Sequence, residues 1–343
     1  MTASGKGVMV AYGAEFHRLL LKIAGHAPAD RLVAARRALA RDRTAETALA
    51  LGDIMAAAGL PPSEEEFALL GAAEPDSVEP LSDTQPGAWP VPSVWFRPVV
   101  DDRPDLPPVL DLTTASAATA AGLTDAVDRT AIAAAGRLPG ARALWRAWRS
   151  GPEPMRVFLL EAARPAAELP TLTGALQEEL TAAGLPHPLV ETYAPGDELP
   201  SYQDQAREAA ALLWTAERPE PIVVARVFDG ADPVTGPWFA PGHPVLAGAE
   251  RDLVLARLEG GRPLLTTTER ADDVVAPGRG AAVPLSYRTD GAWIWTDTAV
   301  YYLREHGLAP DPELLAHFRD KPPLEPDAAA LHRALATLFP LDG

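Results

Sequence analysis

Up to Ala73, apolar residues recur at helical spacing. Phe16, Leu19, Leu20 and Ile23 share one helical stripe, and Gly25 is placed to terminate it. A second helix is predicted from Asp30 to Arg41, with Leu32, Val33 and Leu39 inward; Arg36 falls on the same stripe and has to snorkel outward. Thr44 precedes an Ala/Leu-rich helix ending near Gly59-Leu60-Pro61. Ser63 and Glu66 have the spacing of a capping box and open a short helix with Phe67 and Leu70 inward. Residues 1–73 therefore read as a small helical bundle. From Glu74 to Pro92 the periodicity stops: Pro75, Pro80, Pro86, Pro90 and Pro92 mix with Asp76, Glu79 and Asp83, the signature of an acidic, proline-rich linker over 74–92.

Residues 93–230 read as an α/β domain. Val94–Val100 is a strand interrupted by Pro98, and apolar residues return at Val109, Leu110 and Leu112. Ala141–Arg149 fits a helix, with Leu144, Trp145 and Trp148 on one side and Arg142, Arg146 and Arg149 on the other. Strands follow at Met155–Leu160, Leu189–Tyr193 and Pro221–Phe228, separated by helices over Leu172–Ala183 and Ser201–Trp214. That alternation predicts a central, partly parallel sheet with flanking helices. The expected class is α/β in this region and α+β for the chain.

Residues 231–343 read as a C-terminal module of a β-hairpin plus helices. A loop rich in proline and glycine leads to a helix from about Ala249 to Leu258, then a strand at Leu264–Thr268. Val283–Arg288, the turn Asp290-Gly291 and Ala292–Trp295 predict the hairpin. A two-residue turn sets Tyr287 across from Ile294 and Arg288 across from Trp293; a longer turn changes that register. Helices then start at Thr296 or Asp297, at Asp311-Pro312-Glu313 and at Glu325-Pro326-Asp327, and Gly307 stops the first of them.

Composition narrows the chemistry. The 343 residues contain no cysteine, which removes disulfides, thiolate nucleophiles and cysteine-ligated metals. With 30 basic residues against 47 acidic ones, the net charge is −17, and a broad phosphate-binding surface is not expected. Only Lys6, Lys22 and Lys321 are lysines and asparagine is absent, the codon bias of a high-GC, actinobacterial genome. No basic leader with an apolar core opens the chain and no apolar run reaches about 18 residues, so a cytoplasmic protein without membrane insertion is expected.

Standard motifs are missing as well. Gly5-Lys6-Gly7 lacks the rest of a phosphate-binding loop, Pro277-Gly278-Arg279-Gly280 lacks that of a dinucleotide fingerprint, and no Gly-x-Ser-x-Gly elbow occurs. The seven histidines show no metal-ligand spacing. His17 reads as a structural histidine, and His306 and His317 as helix-end residues. Asp229 reads as a turn residue and Asp272-Asp273 as a solvated loop. No catalytic residue, metal or cofactor is expected. The hairpin residues Tyr287, Arg288, Asp290, Trp293 and Trp295 are the candidate binding site; the tryptophans either meet a partner, as aromatics do at interfaces, or form a local core under the next helix.

Arg226–Gly230, Val283–Trp295 and Tyr301–Gly307 together resemble a C-terminal module of uncharacterised actinobacterial proteins. Similar stretches occur in proteins linked to polymorphic toxins related to NAD glycohydrolases of the tuberculosis necrotizing toxin type. The resemblance covers about the last third of the chain and includes no toxin catalytic domain. It implies an accessory, immunity-like role in a toxin or effector system, and hence a non-catalytic protein with a protein partner. The alternative is an enzyme or small-ligand sensor with a pocket at the strand ends of the α/β domain.

Overall fold

The computed structural model describes residues 4–73, 93–101, 103–151, 153–323 and 325–341, with side chains from residue 12 onward. The linker expected over 74–92 lies outside the described residues. The class is α+β, as expected, and contacts divide the chain into two compact units, Met1–Pro219 and Glu220–Gly343. Among the described residues, no helix is long and apolar enough to cross a membrane.

The first unit begins with four helices, α1 (Ser4–Ile23), α2 (Ala29–Ala40), α3 (Thr44–Ala58) and α4 (Glu64–Ala73). The capping box at α4 forms as expected, with Ser63 Oγ accepting from Glu66 N and the Glu66 carboxylate accepting from Ser63 N. Next come β1 (Phe96–Arg97), β2 (Leu110–Asp111), α5 (Ala117–Leu123), α6 (Ala126–Ala135), β3 (Ala141–Arg149) and β4 (Met155–Ala162). The unit closes with α7 (Leu169–Ala182), β5 (Leu189–Tyr193), α8 (Ser201–Glu208) and β6 (Ala211–Thr215). The sheet order is β2-β6-β3-β4-β5, with β1 also on β3. β3 runs antiparallel to β4 and β6, whereas β4 and β5 are parallel and joined through α7.

Two segments expected to be helical are strands. Ala141–Arg149 is β3, the strand shared by β4, β6 and β1, and Ala211–Trp214 belongs to β6 after α8 ends at Glu208. The polar side of the expected helix misled because Arg146 does not face water. It is buried, ion-paired to Asp128 and bonded to the carbonyls of Leu123 and Pro98. Helices cover both faces of β3, so residues 143–147 are all buried and carry no alternation.

The four N-terminal helices do not stand apart as a bundle. Ala40 on α2 fits against Gly174 on α7 so closely that a Cβ at Gly174 would collide with the Ala40 methyl. Arg36, expected to snorkel outward, is 2% exposed and meets the fully buried Glu191 of β5 at 2.5 Å. Gln203 of α8 donates to the same carboxylate oxygen and to the carbonyl of Leu21, tying α1, α2, β5 and α8 together.

The second unit takes in residues 221–228, which the sequence pattern assigns to the end of the first. Only Val223–Val224 is extended there, as β7. Then follow β8 (Gly230–Asp232), β9 (Gly236–Trp238), α9 (Gly248–Glu259), β10 (Arg262–Leu265), β11 (Arg270–Asp272), β12 (Ala281–Pro284), β13 (Tyr287–Thr289) and β14 (Trp293–Thr296). Three helices close the chain, α10 (Asp297–His306), α11 (Pro312–Asp320) and α12 (Ala328–Leu338). β7 pairs parallel with β14, in the sheet order β10-β13-β14-β7. The boundary shifts from 230 to 219 because β7 finds its hydrogen bonds on β14 rather than in the first sheet.

The Arg36–Glu191 pair yields a stability prediction. Arg36→Met leaves a carboxylate buried without its cation and is expected to destabilise the first unit by about 3–5 kcal/mol. Adding Glu191→Leu is expected to restore most of that loss, as read by urea unfolding of the three variants.

Candidate functional site

The hairpin residues nominated from sequence are brought together, with Trp293 and Trp295 in a core and Tyr287, Arg288 and Asp290 half-buried. β13 and β14 pair with Tyr287 opposite Thr296, Arg288 opposite Trp295 and Thr289 opposite Ile294, two residues beyond the expected register. The three residues between the strands are organised by Asp290, whose carboxylate accepts from the backbone N–H groups of Ala292 and Trp293. Trp295 is 1% exposed and donates its indole N–H to the Leu258 carbonyl. Its ring lies over Gly261, where any Cβ would collide with it. Trp293 is 9% exposed and shares the α9–α11 core with Leu258, Leu303 and Leu314. Arg288 binds Asp297 at 2.6 Å and the carbonyls of Glu259 and Gly261. Of the two readings of the tryptophans, the structure selects the core.

The three histidine–aspartate pairs of this unit are also occupied with folding. His317 meets Asp290 at 2.6 Å, His243 meets Asp229 at 2.8 Å, and His306 meets Asp273 at 2.7 Å. Asp273, expected on a solvated loop, is fully buried. Burial opposes its charge, but bonds from the N–H groups of Ala276 and Val275, from His306 and from the Tyr301 hydroxyl outweigh it and hold its pKa at about 2. Asp229 is held below the usual carboxylate range, mainly by the Ala240 N–H and then by His243. Each carboxylate clips a loop; Asp229, expected in an Asp-Gly turn, instead precedes β8 and holds Ala240 N and His243. No cluster of three or more potential metal ligands occurs among the described residues.

A different feature is open. Beyond the carboxyl ends of the parallel strands β4 and β5, where open sheets hold their ligands, lies a cavity of about 400 Å³. Ala166 and Leu169 reach it from the connection after β4, and Asp197, Glu198, Leu199 and Pro200 from the connection after β5. His17, Arg18, Leu21 and Lys22 close it from α1.

His17 is 3% exposed, and its Nε2 lies 2.8 Å from the carbonyl of Thr192, the penultimate residue of β5. A carbonyl only accepts, so Nε2 carries the proton and Nδ1 keeps a lone pair. Nδ1 makes no hydrogen bond among the described residues. Burial lowers the His17 pKa to about 4, against the Thr192 bond and with help from the charges of Arg36 and Arg18. The imidazole is therefore neutral at pH 7. The cations of this wall are engaged: Lys22 meets Glu66 at 2.6 Å and Arg18 meets Glu15 at 2.6 Å. On the opposite wall Asp197 accepts from Ala194 N, and Glu198 is exposed and has no ion pair among the described residues.

The sequence signal for this site was slight. The sequence marks His17 as structural, which its Thr192 bond fits, but nothing local shows that the ring also borders a cavity. Asp197 and Glu198 carried no signal beyond a polar loop before a helix.

Two measurements follow. Trp295→Ala is expected to destabilise the second unit by about 3–5 kcal/mol, read by denaturant unfolding, because it empties a filled core position. For His17, the unfolded chain takes up a proton near pH 6.5 and the folded chain only near pH 4, so stability falls across that interval and levels off below it. The expected loss is on the order of 3 kcal/mol, and it is absent in His17→Gln when unfolding is followed from pH 7 to pH 4.

Comparison with known proteins leaves the site to its own residues: no protein-family model, no curated protein and no solved structure matches this chain.

Proposed function

We propose that this chain is a small-molecule-binding protein whose first unit holds an organic ligand in the cavity beyond β4 and β5. One observation carries the reading: a 97%-buried histidine borders an otherwise largely apolar cavity with an unused acceptor nitrogen, at the end of the sheet where parallel strands converge. The volume suits a compact organic molecule. Leu21, Leu169, Leu199 and Ala166 offer the apolar contact, and the polar groups at its margin orient the ligand. The site recommends binding rather than a defined reaction, since its residues form no nucleophile–base pair of the kind that acyl or phosphoryl transfer needs.

A second reading, the accessory role with a protein partner, rests on another observation. With Trp293 and Trp295 buried, its support passes to the β8–β9 hairpin, where Val234 is 91% exposed and Trp238 47% exposed. Trp238 lies over Gly230, which has no room for a side chain, so the indole is held in place while one side of it meets solvent. A rigid exposed aromatic beside an apolar tip is what a protein interface uses as an anchor.

The two readings separate experimentally. Ala166→Trp fills the cavity and is expected to abolish the chemical-shift changes that small-molecule fragments cause at Leu21, Leu169 and Leu199 in the wild type; absence of any such change in the wild type overturns the first reading. Val234→Ser combined with Trp238→Ser is expected to lose a partner protein that the wild type and Ala166→Trp both retain on affinity purification. Equal capture by all three overturns the second.

A further inference from the structure

The chemistry of the ligand follows from which groups around the cavity are already engaged. This inference rests on the cavity being a ligand site. On the α1 wall both cations have anionic partners, Lys22 in Glu66 and Arg18 in Glu15. With Glu15 and Glu66 counted, that wall is close to neutral, whereas Asp197 and Glu198 have no cationic partner among the described residues. Three groups at the cavity keep unused acceptor capacity. His17 offers the Nδ1 lone pair at the buried end, Asp197 has one carboxylate oxygen outside its bond to Ala194 N, and Glu198 has no ion pair among the described residues. The same lining includes the apolar side chains of Leu21, Leu169 and Leu199. A net charge of −17 also raises the local concentration of cations around the protein.

We infer that the cavity takes a small organic amine. Its ammonium group lies against Asp197 and Glu198, its apolar body against the leucines, and a second donor, a hydroxyl or an N–H, reaches Nδ1 of His17. The order of the groups is set by charge. Burial first, and then the charges of Arg36 and Arg18, keep the histidine neutral, so that end suits a neutral donor and the exposed carboxylates suit the cation. A donor reaching Nδ1 completes a histidine whose other nitrogen is already held by the sheet.

Four compounds of one shape test this on the full chain by isothermal titration calorimetry. Tyramine has the ammonium, the ring and the hydroxyl; phenethylamine lacks the hydroxyl; 4-ethylphenol lacks the ammonium; 3-(4-hydroxyphenyl)propanoate replaces it with a carboxylate. Tyramine is expected to bind most tightly, 4-ethylphenol at least about tenfold more weakly, and the carboxylate not measurably, since about 1.4 kcal/mol separates each factor of ten. Phenethylamine is expected to lose severalfold through the unmet Nδ1. Glu198→Gln, an exposed change that leaves the fold alone, is expected to weaken tyramine severalfold and leave 4-ethylphenol unaffected; Asp197→Asn, which keeps an acceptor for Ala194 N, is expected to do the same. Binding of the phenol or the carboxylate as tight as that of tyramine, or tyramine binding unchanged in both variants, overturns the amine while leaving a ligand site in place. If none of the four compounds binds and a general fragment set also fails to shift the cavity residues, the amine and the ligand site fall together.

Discussion

A buried charge can stay in a protein only where its partner is built to meet it, and the first unit is organised around one such meeting. Arg36 and Glu191 are both almost wholly removed from water, and Gln203 shares the carboxylate. Separating them would leave one unpaired ion in the interior, which costs several kcal/mol. The pair therefore restricts how α2 can sit on β5. Gln203 extends that restriction to α1 through the Leu21 carbonyl, and His17 adds a second tie from α1 to β5 at Thr192. The cavity follows from these ties, because α1 is held across the strand ends while the connections after β4 and β5 turn outward around it.

At the other end of the sheet a second charge cluster closes on itself. Arg146 and Arg156 both reach Asp128, and Arg156 also grips Asp125, holding that carboxyl well below the usual carboxylate range. The Arg156 guanidinium also lies 4.5 Å from the centre of the Trp148 ring. Its charges satisfy one another, as do the histidine–aspartate clips of the second unit. In the proposed reading, the groups that a ligand meets at the strand-end cavity are His17, Asp197 and Glu198, which line it.

Much of the local structure was legible. The capping box at Ser63–Glu66, the stop at Gly307, the Asp311-Pro312 helix start and the parallel pair of strands around α7 all appear where residue type and spacing placed them. Each depends on atoms within a few residues of one another. The hairpin was legible in kind but not in register, because Asp290 ties the backbone of Ala292 and Trp293 into a wider turn than two residues would make. The failures were the arginines. Arg36 falls on an apolar stripe from which it is expected to snorkel outward, and Arg146 on the polar side of an expected helix at Ala141–Arg149, yet both are buried against carboxylates.

By itself, then, the sequence determined the α+β alternation, the helix ends, the absence of cysteine chemistry and the acidity. These are properties of composition and of short-range periodicity. Only the tertiary structure decided that β3 lies inside a covered sheet, that Trp293 and Trp295 fill a core, and that His17 borders a cavity facing Asp197 and Glu198. The reason is distance along the chain: Glu191 stands 155 residues from Arg36, and Thr192 stands 175 residues from His17. Whether a polar side chain turns to water or inward depends on a partner that far away, and no local pattern contains it.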